Sequence, residues 1–120
     1  MIATMPEALI IDDSASFRAS ARSLLEAEGF GVSEAATGVE GIEAVRQHRP
    51  ELVLLDIQLP DLDGFEVAER LAQLEWPPTV ILISTRDGAD YGSLVSSSPA
   101  RGFIPKSELS GAAVRSMLGE

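Results

Sequence analysis

Short apolar runs alternate with segments of helical period along the chain, and this alternation constrains the fold more than any other feature. The apolar runs cover residues 8–11, 30–35, 52–55, 79–83 and 102–104. Continuous apolar runs of this length are typical of parallel strands that helices cover on both faces. Because right-handed crossovers connect such strands, the sequence predicts a doubly wound α/β domain with a five-stranded parallel sheet and helices on both faces.

Four segments between and after these runs have the apolar spacing of helices. Their predicted apolar stripes are Phe17, Ala21, Leu24 and Leu25; Ile42 and Val45; Phe65, Ala68, Leu71 and Ala72; and Leu109, Ala112, Ala113 and Met117. Gly29 and Pro50 are expected to end the first and second helices. Residues 87–99 are rich in glycine and serine, which have poor helix propensity, so only a short or frayed helix is expected there.

Composition limits the possible functions. The chain has 120 residues, which fits a single domain over residues 1–120, and it contains no cysteine, which excludes disulfides, thiolate zinc sites and cysteine nucleophiles. The formal charge of −10 opposes direct binding to nucleic acid. No basic leader or long apolar stretch is present, so we expect a cytoplasmic protein without membrane insertion.

Acidic side chains follow two of the predicted strands. Asp12 and Asp13 come directly after residues 8–11, and Asp56 comes directly after residues 52–55. Ligands of open α/β sheets bind outside the carboxyl ends of the strands, where these carboxylates would meet and repel one another. A hard divalent cation relieves that repulsion, and magnesium, which needs few carboxylates, is the natural candidate.

A hydroxyl and an ammonium group are predicted at the same edge. Ser84 follows the fourth apolar run, and Lys106 lies just beyond the fifth. Each residue alone has an ordinary explanation, since aspartates often cap helices and lysines are usually solvated. Together they favour a phosphoryl site, in which magnesium and Lys106 neutralise phosphoryl oxygens and ionised Asp56 is the nucleophile.

The order and spacing of these residues resemble the receiver domain of two-component response regulators over essentially the whole chain. The corresponding positions are the acidic pair Asp12 and Asp13, the phosphoacceptor Asp56, the switch hydroxyl Ser84, the switch aromatic Phe103 and the lysine Lys106. The resemblance implies a flavodoxin-like receiver fold with strand order 2-1-3-4-5.

The resemblance also implies a metal site and a phosphoryl donor. Magnesium would be bound directly by Asp13, Asp56 and the backbone carbonyl of Gln58, with Asp12 acting through water. A histidine kinase or phosphotransfer protein would supply the phosphoryl group. Ser84 and Phe103 would then rearrange the face formed by the fourth helix, fifth strand and fifth helix, which would bind a downstream protein effector.

The chain departs from the family after the lysine. The family usually has proline there, whereas Pro105 precedes Lys106 and Ser107 follows it. The family's cis bond becomes improbable at this point, since a non-proline cis peptide costs about 3–4 kcal/mol. The departure gives weight to an alternative, a pseudo-receiver that signals through protein contacts without phosphorylation.

An enzymatic alternative is a magnesium-dependent phosphohydrolase acting on a small molecule through Asp56. The chain has no cap segment to enclose a substrate, and Gln58 stands two residues after Asp56, where the haloacid-dehalogenase class has the second aspartate of its Asp-x-Asp nucleophile and acid pair. Both features favour a phosphoacceptor switch that assists its own phosphorylation and dephosphorylation. Gln58 and Arg86 flank the site and are candidates for tuning the attack of water on the phosphorylated aspartate. Trp76, between Glu75 and two prolines, is predicted to be a partly buried anchor.

Overall fold

Five parallel strands form one sheet in the computed structural model, which describes residues 5–85 and 91–119. The strands are β1 (Glu7–Ile11), β2 (Gly31–Ala35), β3 (Leu52–Asp56), β4 (Thr79–Ser84) and β5 (Gly102–Pro105). Their spatial order is β2-β1-β3-β4-β5, with every neighbouring pair parallel. The predicted fold class and strand order are confirmed, and each strand lies within one residue of its predicted bounds.

Helices follow the strands in the described parts of the chain. They are α1 (Ala15–Ala27), α2 (Gly38–His48), α3 (Gly64–Ala72), α4 (Ser93–Ser97) and α5 (Gly111–Met117). Their hydroxyl and carboxylate N-caps, which accept backbone N–H groups, are Ser14 for α1, Thr37 for α2, Asp63 for α3 and Ser110 for α5. Gly29, with φ of +96°, follows the end of α1 as predicted. None of the described helices is long and apolar enough to span a bilayer.

Helices cover both faces of the sheet, and successive strand residues point to opposite faces, so alternate residues belong to two different core layers. Leu9, Ile11, Val53 and Leu55 face a layer that contains α2 and α3. The alternate strand residues Ala8, Ile10, Leu52 and Leu54 pack with α1 and α5. All five residues of β3 are buried, so the central strand holds its terminal Asp56 on a rigid support.

Three predictions about exposure are wrong. Ala72 and Ala112 are exposed, whereas Val67 and Val114 are fully buried. The larger valines occupy the core-facing rows of α3 and α5, with Val67 and Leu71 four residues apart, which turns the small alanines outward. Trp76, predicted to be a partly buried anchor, is instead classed with the exposed residues, with 56% of its surface accessible.

Candidate functional site

The predicted site residues meet at the carboxyl edge of the sheet. Asp12 follows β1, Asp56 ends β3, Ser84 ends β4 and Lys106 follows β5. The strand register places Ile11 beside Leu55, so the residues that follow β1 and end β3 are neighbours. The expected convergence of these side chains at one edge is confirmed.

Three carboxylates form the centre of this edge. One oxygen from each of Asp12, Asp13 and Asp56 can be chosen so that all three lie within 4.8 Å of one another. Asp12 is fully buried and Asp56 nearly so, whereas Asp13 is exposed. Asp13 and Asp56 line an open cavity of about 410 Å³, together with Gln58 and Lys106. Hard oxygen ligands at this spacing, open to solvent on one side, suit a hydrated magnesium ion.

Lys106 bridges the two buried carboxylates. Its Nζ lies 2.6 Å from Asp12 Oδ2 and 3.5 Å from Asp56 Oδ2. The closer pair is not aligned as a hydrogen bond, so Asp12 Oδ2 has no hydrogen-bond donor among the described residues. Phe17 lies beneath the ammonium, with its ring centre 4.4 Å from Nζ. The lysine is thus held by charge and by an aromatic face, and it is the counterion of the buried Asp12 carboxylate.

The pKa of Asp56 is raised from its ordinary 3.8 to about 6. The main cause is burial, which disfavours the charged form, and the neighbouring Asp12 carboxylate adds to it. The Gln58 amide, which donates to Asp56 Oδ1 at 3.1 Å, and the Lys106 ammonium act in the opposite direction. Asp56 is therefore ionised at neutral pH, but its charge is held at a free-energy cost.

This cost predicts a pH-dependent effect of Asp56→Asn on stability. Below pH 3.8 the Asp56 carboxyl is protonated in both the folded and the unfolded state. Between pH 3.8 and about 6 it ionises in the unfolded state but not in the folded state, so the free energy of unfolding falls as the pH rises. Above about pH 6 it is ionised in both states, and the free energy of unfolding stays reduced. The full rise in pKa corresponds to about 3 kcal/mol, which solvent screening in the open cavity reduces. We expect the variant to gain on the order of 1–2 kcal/mol above the folded-state pKa, and nothing below 3.8.

Denaturant unfolding in chelator-treated buffer across this pH range measures the difference. Equal unfolding free energies for wild type and Asp56→Asn at all pH values would contradict a strained Asp56 charge.

The loop between β3 and α3 is fixed by a residue that the sequence analysis missed. The Asp61 carboxylate accepts hydrogen bonds from the backbone N–H groups of Gly38 at 2.8 Å and Val39 at 2.9 Å, at the N-terminus of α2. These bonds lower the pKa of Asp61. The first N–H groups of a helix have no partner within the helix, so the predicted start of α2 was the signal that a carboxylate would bind there. Asp61 holds the loop that carries Gln58 against a neighbouring helix.

The proposed switch residues are connected through Tyr91, which the sequence analysis also missed. The Ser84 and Tyr91 hydroxyls lie 2.8 Å apart and share a hydrogen bond. The Tyr91 ring contacts Phe103, with centroids 6.0 Å apart, and Phe65, with centroids 5.9 Å apart. A change at Ser84 therefore reaches Phe103 through one side chain. Tyr91 lies in residues 87–99, which were predicted to form only a short or frayed helix, so no apolar period indicated which way its side chain points.

Of the two residues predicted to flank the site, the structure describes Gln58. Gln58 lines the cavity with an exposed side chain, and Thr85, which the sequence analysis did not consider, lines it too. Arg86 lies outside the described residues. No cis peptide bond occurs in the ranges 5–85 and 91–119, as expected for the bond between Lys106 and Ser107.

Comparison with known protein families agrees with the fold and with the arrangement of the site residues. The family model described as "Response regulator receiver domain" matches residues 8–115. The chain belongs to the response regulator receiver family. Receiver domains are phosphoacceptor switches of two-component systems, so the fold and the carboxylate edge now have a common explanation.

Relatives of this receiver domain include transcription regulators. It is 40% identical over 101 residues to the virulence-factor regulator BvgA of Bordetella pertussis, covering 83% of this chain and 48% of the relative. It is 36% identical over 86 residues to the transcriptional regulatory protein AfsQ1 of Streptomyces coelicolor, covering 72% of this chain and 38% of the relative. The receiver thus spans half or less of the length of these two regulators.

A solved structure confirms the fold of the receiver. The CheY-like response regulator receiver domain protein of Methanospirillum hungatei superposes with a TM-score of 0.84 at 26% identity. The match covers 97% of this chain and 92% of that one.

Proposed function

We propose that this receiver accepts a phosphoryl group on Asp56 from a phosphorylated histidine of a kinase or phosphotransfer protein and thereby changes its affinity for a protein effector. The observation that carries the proposal is the meeting of three carboxylates and Lys106 around one solvent-open cavity. In this arrangement Asp56 is the acceptor because it combines near-complete burial with a place in the cavity wall.

Asp56 Oδ2 is the oxygen that Lys106 approaches, and Oδ1 accepts the Gln58 amide. These two contacts fix the plane of the carboxylate, so the nucleophile is oriented before the donor arrives. With a pKa of about 6, Asp56 is ionised at neutral pH and has a free lone pair for attack. The attacking carboxylate oxygen forms the new bond to phosphorus, and the donor histidine nitrogen leaves with the bonding pair.

The donor set fits magnesium, which when bound would neutralise negative charge on the transferring phosphoryl oxygens. Asp13, Asp56 and the Gln58 carbonyl are the proposed direct ligands, with Asp12 acting through water. Three carboxylates within 4.8 Å of one another outnumber the Lys106 ammonium, which supports the need for a further cation at this edge.

Lys106 is proposed to pair with the phosphoryl oxygens after transfer. Its ammonium already lies 3.5 Å from Asp56 Oδ2, so a small side-chain movement away from Asp12 brings it to the new anion. Phe17 keeps the ammonium at this edge while its partner changes. The lysine therefore stabilises charge that develops on the acceptor side.

Ser84 and Phe103 are proposed to transmit the change. When the Ser84 hydroxyl reorients to donate to a phosphoryl oxygen, its hydrogen bond with the Tyr91 hydroxyl is proposed to break. Releasing Tyr91 alters its packing against Phe103 and hence the face that includes α4, β5 and α5. Gln58 and Arg86 are proposed to tune hydrolysis of the phosphorylated aspartate.

The proposed partners follow from the same scheme. A kinase or phosphotransfer protein must reach the open cavity, and an effector reads the altered face. The formal charge of −10 argues against direct binding to nucleic acid. We further propose residues 1–120 as one receiver domain working in the cytoplasm, which its lack of cysteine fits.

The test is intact mass after exposure to acetyl phosphate with and without magnesium. Wild type should gain the mass of one phosphoryl group only with magnesium, and Asp56→Asn should gain none. Glu69→Gln is the matched control and should gain the phosphoryl mass like wild type, because it makes the same carboxylate-to-amide change at an exposed position of α3 that does not line the cavity.

Absence of an adduct in folded wild type would contradict the proposal and favour the phosphorylation-independent module. An Asp56→Asn variant that keeps its effector output would favour that module too. Steady release of phosphate from a small metabolite without a stable adduct would instead favour the phosphohydrolase.

A further inference from the structure

A second surface lies at the opposite edge of the sheet from Asp56. The C-terminal end of α2 and the connection from α3 to β4 meet there around a cavity of about 170 Å³. We call this surface the tryptophan patch, and it is lined by Val45, Arg46, Arg49, Leu74, Glu75 and Trp76. Because α2 runs from the carboxyl edge back to the start of β3, an occupant here would leave the phosphoryl site free.

In the described parts of the chain, the two arginines of the patch form no ion pair. Arg18, Arg22, Arg70 and Arg115 each pair with a glutamate. Within residues 5–85 and 91–119, Arg46 and Arg49 pair with no carboxylate, although the chain carries 19 Asp and Glu against 9 Lys and Arg. Glu75 lines the same cavity and is exposed, but it does not pair with either arginine. The patch is a local positive surface on an acidic protein.

Trp76 gives this positive surface an apolar centre. Its side chain is 56% exposed, whereas the phenylalanines and Tyr91 are buried or half-buried. The Arg49 guanidinium lies 3.9 Å from the centre of the indole ring, so the two side chains hold each other in place. Tryptophan and arginine are the residues most enriched at binding hot spots, and ordering them beforehand reduces the entropy lost on binding.

The backbone at Arg49 is also unusual. Arg49 has φ of 47° and ends α2 in the left-handed conformation, where glycine or asparagine is the common residue. A side chain with a Cβ costs about 1 kcal/mol in this conformation. In this conformation the Arg49 guanidinium lies over the Trp76 ring.

We propose that the tryptophan patch docks an acidic peptide segment of a partner protein that carries an aromatic or branched aliphatic side chain. Carboxylates of the segment pair with Arg46 and Arg49, and its apolar side chain covers Trp76 and Leu74. Charge complementarity selects this occupant, because the patch offers two unpaired cations beside one exposed ring. The net charge of −10 repels long acidic runs, so the segment is short.

The test uses a synthetic peptide of glutamates around a central leucine and phenylalanine. Binding to the full chain is measured by titration calorimetry, and emission of Trp76, the single tryptophan, reports the site. We expect saturable binding to wild type and about tenfold weaker binding to the double variant Arg46→Gln/Arg49→Gln. Arg70→Gln/Arg115→Gln is the matched control, since it removes the same charge from exposed arginines elsewhere and should bind like wild type.

Two control peptides test the two halves of the proposal. A lysine version should not bind, and a version with serines in the centre should bind about tenfold more weakly. Equal binding by both double variants, equal binding of the lysine or serine peptide, or no binding by wild type would each overturn the proposal. Patch-dependent self-association in sedimentation that accounts for the titration would also overturn it, in favour of a second copy as occupant.

Discussion

Lys106→Met should lower the free energy of unfolding by about 3 kcal/mol at neutral pH without divalent ions, because it leaves a buried carboxylate without its counterion. Asp12 is fully buried, and the Lys106 ammonium at 2.6 Å is the cation nearest to its Oδ2 in the described residues. Methionine keeps most of the length of the lysine side chain and removes its ammonium, so the loss reports charge. Denaturant unfolding in chelator-treated buffer measures it.

A double-mutant cycle isolates the pair. Asp12→Asn removes the buried charge, so adding it to Lys106→Met should recover about 1–3 kcal/mol relative to the sum of the single changes. Arg115→Met is the matched control, since Arg115 pairs with Glu28 at an exposed position and its loss should cost less than about 1 kcal/mol. Additive single effects for Asp12 and Lys106 would contradict the proposed compensation of charge.

Gly64→Ala should be similarly damaging, with a loss of about 3 kcal/mol, because its methyl group has no space. The added Cβ would overlap the carbonyl oxygen of Asp56 and lie 2.6 Å from the Cα of Ile57. Both are backbone atoms directly at the phosphoacceptor, and neither can rotate away. We therefore expect a lower melting temperature, and less phosphoryl adduct in the protein that remains folded.

Gly111→Ala provides the comparison for this variant. At Gly111 the nearest atoms to the added Cβ belong to the flexible Glu28 side chain, which can move, and not to the backbone. Its unfolding free energy should stay within about 1 kcal/mol of wild type. Equal stability of the two variants would show that the close approach of Gly64 to the Asp56 backbone is not limiting.

Strand positions could be predicted closely because the central strands β1, β3 and β4 are nearly continuous apolar runs, and buried parallel strands need no polar face. The meeting of Asp12, Asp56 and Lys106 followed from the same rule, since parallel strands end at one edge. Helix faces were less certain where small residues flank larger ones, as Ala72 beside Leu71 shows. Alanine satisfies a helical period at little free-energy cost whether it is buried or exposed.

Other features depend on contacts between distant parts of the chain. Asp61 and the N-terminus of α2 are far apart in sequence, so no local period reveals their hydrogen bonds. Tyr91 joins Ser84 to Phe103 by hydroxyl and ring contacts that depend on the final packing. Arg49 stacks on Trp76, which is distant in sequence, and its left-handed backbone lies at a position where the sequence shows no glycine.

The central claim is that Asp56 itself carries the phosphoryl group, and the most direct test identifies the modified residue. The adduct formed with acetyl phosphate and magnesium is reduced with borohydride, which converts a phosphorylated aspartate to homoserine, and the peptides are sequenced by mass spectrometry. We predict homoserine at position 56 with magnesium and at no position without it. Homoserine at Asp13 or another carboxylate, or unmodified peptides from folded protein, would contradict the claim.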